Sequence, residues 1–143
     1  RQFGVEDQGW VAWFIIAAQL NKPITIYGDG KQVRDVLFVD DLMDAYDAAV
    51  GNIDRTRGQV YNLGGGPENI LSVWDEFSPR LEKLAGRPIP VGRGDWRPGD
   101  QKVFVADIRK AREELGWSPK VGVDEGISRL FEWVKQNRDL FQA

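Results

Sequence analysis

Two arginines and a cluster of aspartates carry the chemistry available to this sequence. The stretch Tyr27-Gly-Asp-Gly-Lys-Gln-Val-Arg34-Asp35-Val-Leu-Phe-Val-Asp40-Asp41 sets a glycine turn, the Arg34 guanidinium and several carboxylates among apolar strand residues. Further along, Arg97-Pro-Gly-Asp100 places a second arginine close to an acid. Such density of charge beside apolar residues suits an anionic small molecule better than it suits packing. A planar guanidinium gives two parallel hydrogen bonds to phosphate oxygens, so Arg34 and Arg97 are the candidate anion-binding residues. Plainer readings stand beside these. An arginine next to an aspartate is commonly a surface pair worth about 0–1 kcal/mol, and Arg97 could anchor a turn. Asp29 reads as a turn residue, and Asp40, Asp41 and Asp107 as helix caps.

Composition removes several classes of function. The chain contains no cysteine and no histidine, which excludes thiol nucleophiles, disulfide frames, His-ligated zinc and Ser-His-Asp catalysis. A net charge of −3 without a basic stripe argues against nucleic acid. The longest apolar run, Trp10 to Ala18, is shorter than the roughly 20 residues a membrane span needs and reads as a buried helix. No signal-peptide pattern is visible, and a cytoplasmic location is expected. The 143 residues, 42% of them hydrophobic, suit one compact domain with a filled core. The opening Arg1-Gln-Phe-Gly reads as the interior of a longer chain, so a fragment is expected.

The elements that must position these groups follow from periodicity. Trp10, Trp13, Phe14 and Ala17 recur at helix spacing over residues 8–21, and Asn21-Lys22-Pro23 ends the pattern. Ile24–Tyr27 reads as a strand, Gly28-Asp29-Gly30 as a turn, and Val33–Val39 as a second extended segment. Asp40 is placed as the N-cap of a helix carrying Leu42, Ala45, Tyr46 and Ala49 and stopping at Gly51. Gln59–Leu63 reads as a strand entering a tight turn at Gly64-Gly65-Gly66. Ser72 and Asp75 form a capping box for the next helix, in which Pro79 predicts a kink or break. Residues 87–106 read as extended and loop-like. Asp107 caps a short helix ending at Gly116, and Val123, Ile127, Leu130, Phe131 and Val134 stripe the last one. The result is α/β material with mixed short strands and helices and an incomplete parallel sheet.

The string Gly28-Asp-Gly-x-x-x-Arg34-Asp35-x-x-x-Val39-Asp40-Asp41 resembles the C-terminal half of the extended short-chain dehydrogenase/reductase family, the NAD-dependent nucleotide-sugar epimerases and dehydratases. Tyr61-Asn62-Leu63-Gly64-Gly65, Arg97-Pro98-Gly99-Asp100, Asp107, Leu115-Gly116-Trp117-x-Pro119 and Glu125-Gly126 match in order, so the resemblance covers nearly the whole chain. Arg1-Gln2-Phe3-Gly4 is similar to the tail of the family's Tyr-Gly-Pro-Arg-Gln segment. Gly4 to Trp13 is most similar to a branch that epimerises a CDP-sugar at C2. The family's Gly-x-x-Gly-x-x-Gly turn and helical Tyr-x-x-x-Lys pair are missing. Tyr27-Gly-Asp-Gly-Lys31 matches the latter only formally, because its glycines and aspartate favour a turn over the helical stacking the pair needs.

The resemblance implies a Rossmann-type fold, of which this is the C-terminal substrate-binding portion, with residues about 36–64 joining the cofactor lobe. It implies a nucleotide diphosphate sugar as ligand, a CDP-sugar being favoured, and NAD held mainly by the other half. Arg34 and Arg97 would grip the diphosphate and Asp100 the ribose hydroxyls. Asn62 would reach the nucleotide or its loop, and Ile24, Thr25, Ile26 and Tyr27 would line the base. No catalytic residue and no metal ligand is expected here, so the chain alone should be inactive and the whole enzyme a homo-oligomer. Trp96 is either a packing residue or a cover for the sugar or base. Two readings of other classes remain open: a metal-dependent phosphoryl-transfer domain using Asp29, Asp35, Asp40 and Asp41, and a dimerisation module presenting Trp10–Ile16 as a partner face.

Overall fold

The computed structural model describes residues 3–6 and 8–141; Arg1 and Gln2, used in the resemblance above, lie outside the described residues. In chain order the elements are α1 (Trp10–Leu20), β1 (Thr25–Tyr27), β2 (Val33–Asp35), α2 (Val39–Gly51), α3 (Ile53–Thr56), β3 (Ile70–Ser72), α4 (Phe77–Ala85), β4 (Gly92–Gly94), β5 (Val103–Phe104), α5 (Arg109–Leu115) and α6 (Val123–Gln136). They form mixed α/β structure with short parallel strands. The chain divides into two units, one from residues 1–32, 72–102 and 124–143, the other from residues 33–71 and 103–123.

In the first unit α1 is apolar nearly all round and buries Ala12, Phe14, Ile15, Ile16, Ala17 and Ala18. Trp10–Ile16 is therefore not an exposed partner face. Phe14 meets Trp74 edge-on at 5.4 Å between ring centres, and Trp10 meets Phe77 at 5.3 Å. Asn21 ends α1 in the left-handed conformation, φ 54°, which asparagine tolerates. Arg87 donates to the Ala18 carbonyl at 2.7 Å and Arg138 to that of Gln19 at 2.7 Å. These cations satisfy the open carbonyls and negative end of α1. With Lys135 they line a cavity of about 280 Å³, but their role there is that of a cap. The two-stranded sheet pairs β1 with β4 in parallel, Thr25 opposite Gly92 and Tyr27 opposite Gly94.

Two expectations are corrected in this unit. The capping box is closed by Glu76, not Asp75: Ser72 Oγ accepts the Glu76 N–H at 2.8 Å, and Glu76 Oε2 accepts the Ser72 N–H at 2.6 Å. An intervening turn sets the start of α4 further along. Pro79 consequently falls in the first turn of α4, where its missing N–H has no intrahelical partner to lose, and it causes no break.

The second unit orders its sheet β3-β2-β5, with β2 and β5 parallel and Arg34 opposite Phe104. Ala45, Ile108, Ala111, Leu115 and Trp117 form its core, with Tyr61 and Leu63 packed against them. Four expectations differ. The N-cap of α2 is Phe38, so Asp40 lies inside the first turn, where its charge complements the helix dipole. The extended segment from Val33 is assigned to strand only to Asp35. Gln59–Leu63 keeps a strand-like alternation of inward Tyr61 and Leu63 yet is not assigned to a strand, because a strand requires a ladder partner and none is found among the described residues. The N-cap of α5 is Ile108 and not the expected Asp107, but Asp107 still serves the helix start: its Oδ1 accepts the Arg109 N–H at 3.1 Å. Its bonds to the Arg109 side chain lower its pKa to about 2.

Asp41 is the chief polar clasp of this unit. It is 2% exposed, and its carboxylate accepts the backbone N–H of Lys120 at 3.1 Å and of Val121 at 3.0 Å, while its carbonyl accepts the Trp117 indole N–H at 2.7 Å. It thus ties α2 to the segment following α5. No described helix is long and apolar enough to cross a membrane. Replacing Asp41 with alanine leaves two part-buried N–H donors without their acceptor and should cost about 1–3 kcal/mol of stability. Asp41→Asn, which retains an acceptor, should cost less, as measured by urea denaturation.

Candidate functional site

A polar arrangement in the first unit is built at the C-terminal end of the β1–β4 pair. Alternation along β1 sends Ile24 and Ile26 into the core, at 2% and 1% exposure, so they can offer a ligand only backbone groups. Thr25 and Tyr27 occupy the other face and are half-buried. After Tyr27 the chain turns through Gly28, φ 73°, whose N–H donates to the Gly94 carbonyl at 3.0 Å. Asp29 is the turn residue expected, accepting the Lys31 N–H at 2.9 Å. Lys31 therefore follows a turn, and Tyr27 and Lys31 do not share a helix face.

On β4 and beyond, Arg93 donates to the Asp29 carbonyl at 3.1 Å, and Trp96 lies against Gly28. A Cβ at position 28 would fall 2.7 Å from the Trp96 ring. The Arg97 guanidinium stacks over the Tyr27 ring, 3.8 Å from its centre. A turn closed by the Asp100 N–H on the Arg97 carbonyl at 3.1 Å brings Asp100 beside them. The Gln32 amide nitrogen joins the two sides, donating to the Tyr27 carbonyl at 2.8 Å and to Asp100 Oδ2 at 3.1 Å. Tyr27, Arg97 and Asp100 are thus brought together. Gln32, Arg93 and the Gly28–Trp96 contact escaped sequence reasoning. Nothing in the sequence marks a glutamine as buried, and a glycine spaced for a turn gives no sign that a distant tryptophan also needs its bare Cα.

Arg34 and Asn62 belong to the second unit. Arg34 sits on β2, half-buried, its Nη1 donating to the Val33 carbonyl at 2.8 Å. Asn62 is exposed between the inward Tyr61 and Leu63. Asp35 Oδ2 accepts the Gly66 N–H at 3.0 Å, and the glycine run packs so closely on β2 that a Cβ on Gly64 would strike this carboxylate and one on Gly65 the Val36 carbonyl. Glycines here serve close packing as well as a turn. Tyr61 donates to Glu114 at 2.7 Å, and this bond raises the phenol's pKa.

Three of the four aspartates considered as metal ligands accept backbone N–H groups. Asp29 serves its own turn, Asp35 the glycine run, and Asp41 the Lys120–Val121 backbone. Among the described residues, no group of three or more His, Cys, Asp or Glu could hold a metal ion.

The profile of the GDP-mannose 4,6 dehydratase family matches residues 9–130. A CDP-paratose 2-epimerase from Salmonella typhi is 41% identical over 139 residues, which span 94% of this chain and 41% of that enzyme. The chain thus covers about two fifths of this relative's length. Among solved structures, the UDP-glucose 4-epimerase of Thermotoga maritima with UDP-glucose superposes with a TM-score of 0.81 at 30% identity, over 95% of this chain and 41% of that one. The UDP-glucuronic acid 4-epimerase of Bacillus cereus, in complex with NAD, gives 0.77 at 30% identity, over 94% and 41%.

The Gly28–Trp96 contact predicts its own disruption. Gly28→Ala adds a Cβ to a left-handed residue and displaces the indole. Stability should fall by about 1–2 kcal/mol, and the Trp96 indole N–H resonance should shift.

Proposed function

This chain belongs to the GDP-mannose 4,6 dehydratase family, and from that premise we propose that it is the nucleotide-sugar-binding part of an NAD-dependent nucleotide-sugar epimerase. The observation that carries this reading is the stacking of Arg97 on Tyr27 beside Asp100, at the mouth of a parallel strand pair. Stacking engages the guanidinium through its face, whereas phosphate recognition uses its edge, so one arginine can do both. Arg97 and Arg34 would bind the diphosphate, Asp100 the ribose hydroxyls, and β1 the base. Asn62 would contact the nucleotide or the loop that carries it. The substrate favoured is CDP-paratose, epimerised at C2 to CDP-tyvelose, supported by the Salmonella relative.

The cofactor proposed for the whole protein is NAD. The Gly64–Gly66 run does not suit its pyrophosphate: the Gly66 N–H is taken by the Asp35 carboxylate, and the chain passes into a single 3-10 turn, Pro67–Asn69, in place of a helix. NAD would be held by the rest of the protein and would supply hydride exchange. This chain supplies binding and orientation of the sugar. Residues about 36–64 would join the cofactor lobe, where exposed Val39, Met43, Tyr46 and Val50 along α2 would find cover. A second reading within the family, a 4-epimerase or 4,6-dehydratase, is supported by the two 4-epimerase structures and by the family profile.

Calorimetry on the full-length protein tests the diphosphate assignment. Arg34→Ala and Arg97→Ala should each weaken CDP binding by about 10- to 100-fold, and unchanged affinity in both would refute it. Product analysis by NMR tests the reaction. Full-length protein with NAD⁺ should convert CDP-paratose to its C2 epimer and leave UDP-glucose and dTDP-glucose unchanged. The isolated chain should turn over none of them, and any product from it would contradict the division of labour proposed.

A further inference from the structure

We infer that Gln32 is a positioning residue of the nucleotide site, acting through Asp100. This deepens the functional reading above and rests on it. Gln32 is 4% exposed, and its backbone carbonyl is pinned by the Val73 N–H at 2.8 Å. Its side chain then has one place to go. The amide nitrogen spans the gap between the end of β1, at the Tyr27 carbonyl, and the far turn, at the Asp100 carboxylate.

The other half of the amide shows what the residue is kept for. Gln32 Oε1 is shielded from solvent and has no hydrogen-bond partner among the described residues. Burying an unpaired amide oxygen is unfavourable. A methionine would fill the same volume without that cost, so packing alone does not account for glutamine here. What methionine cannot do is donate. One of the two bonds runs to a carboxylate and is charge-assisted, hence stronger than a neutral bond.

The bridge has a definite geometric effect. Tyr27 carries Arg97 on its ring, and Arg97 and Asp100 close a single turn. Holding Asp100 to the Tyr27 carbonyl therefore fixes the ribose-side acid, the diphosphate-side arginine and the base-side strand in one arrangement before ligand arrives. Preorganisation of this kind lowers the ordering cost of binding. Gln32 is thus one of the ties that order Asp100 before the ligand arrives.

The test is calorimetry with CDP on the full-length protein. Wild-type binding is the control, and its absence for both CDP and UDP would overturn the functional reading and this inference together. Gln32→Met should weaken CDP binding about tenfold. In a double-mutant cycle, Gln32→Met added to Asp100→Asn should cost nothing beyond Asp100→Asn alone, within about twofold. Additive losses, or wild-type affinity in Gln32→Met, would overturn the inference while leaving the functional reading standing. Should Gln32→Met fail to fold, Gln32→Glu decides. Its carboxylate faces Asp100 and should weaken binding at about pH 8. Binding should recover toward about pH 5.5, as the new side chain is protonated and donates. A flat profile parallel to wild type would overturn the inference.

Discussion

Parallel pairing of β1 with β4 places Tyr27 opposite Gly94, and the polar arrangement of the first unit depends on that register. The ladder continues past the strand, since the Gly28 N–H still reaches the Gly94 carbonyl. The turn after β1 and the loop after β4 therefore leave the sheet at the same end, and their side chains must meet. Trp96 settles on the bare Cα of Gly28, Arg97 on the Tyr27 ring, and Asp100 on the Gln32 amide. In parallel α/β sheets, ligands commonly bind beyond the carboxyl ends of the strands. A slip of one residue would turn Ile24 and Ile26 outward and remove the platform under Arg97.

The second unit uses its charge differently. Asp41 and Asp35 both accept backbone N–H groups, holding Lys120–Val121 and the glycine run in place. A carboxylate suits such work because charge-assisted bonds to N–H groups compensate its loss of water. Two acids that look like chemistry in a linear string are thus structural fasteners. The glycines beside them allow backbone and carboxylate to approach where any Cβ would collide.

Much of the fold was legible because local rules govern it. The periods of α1, α2 and α6, the turn at Gly28–Gly30 and the glycine stop of α5 at Gly116 all appear where residue spacing and conformational freedom put them. The errors lie at boundaries and pairings. Asp40 fell one step inside its helix, Pro79 landed in a first turn that tolerates it, and the capping box chose Glu76 over Asp75. Gln59–Leu63 has the alternation of a strand, but alternation records only which side is buried and says nothing of a ladder partner.

By itself the sequence determined the residue types able to bind a diphosphate, the absence of histidine and cysteine chemistry, and the periodic elements, because each is a property of side chains or of neighbours along the chain. Tertiary structure alone decided that Arg97 stacks on Tyr27, that a buried glutamine joins Tyr27 to Asp100, and that Asp41 clasps a segment far along the chain. Those contacts arise from strand register and helix packing, which bring distant residues within bonding distance. No local periodicity encodes which distant partner a buried polar group will find.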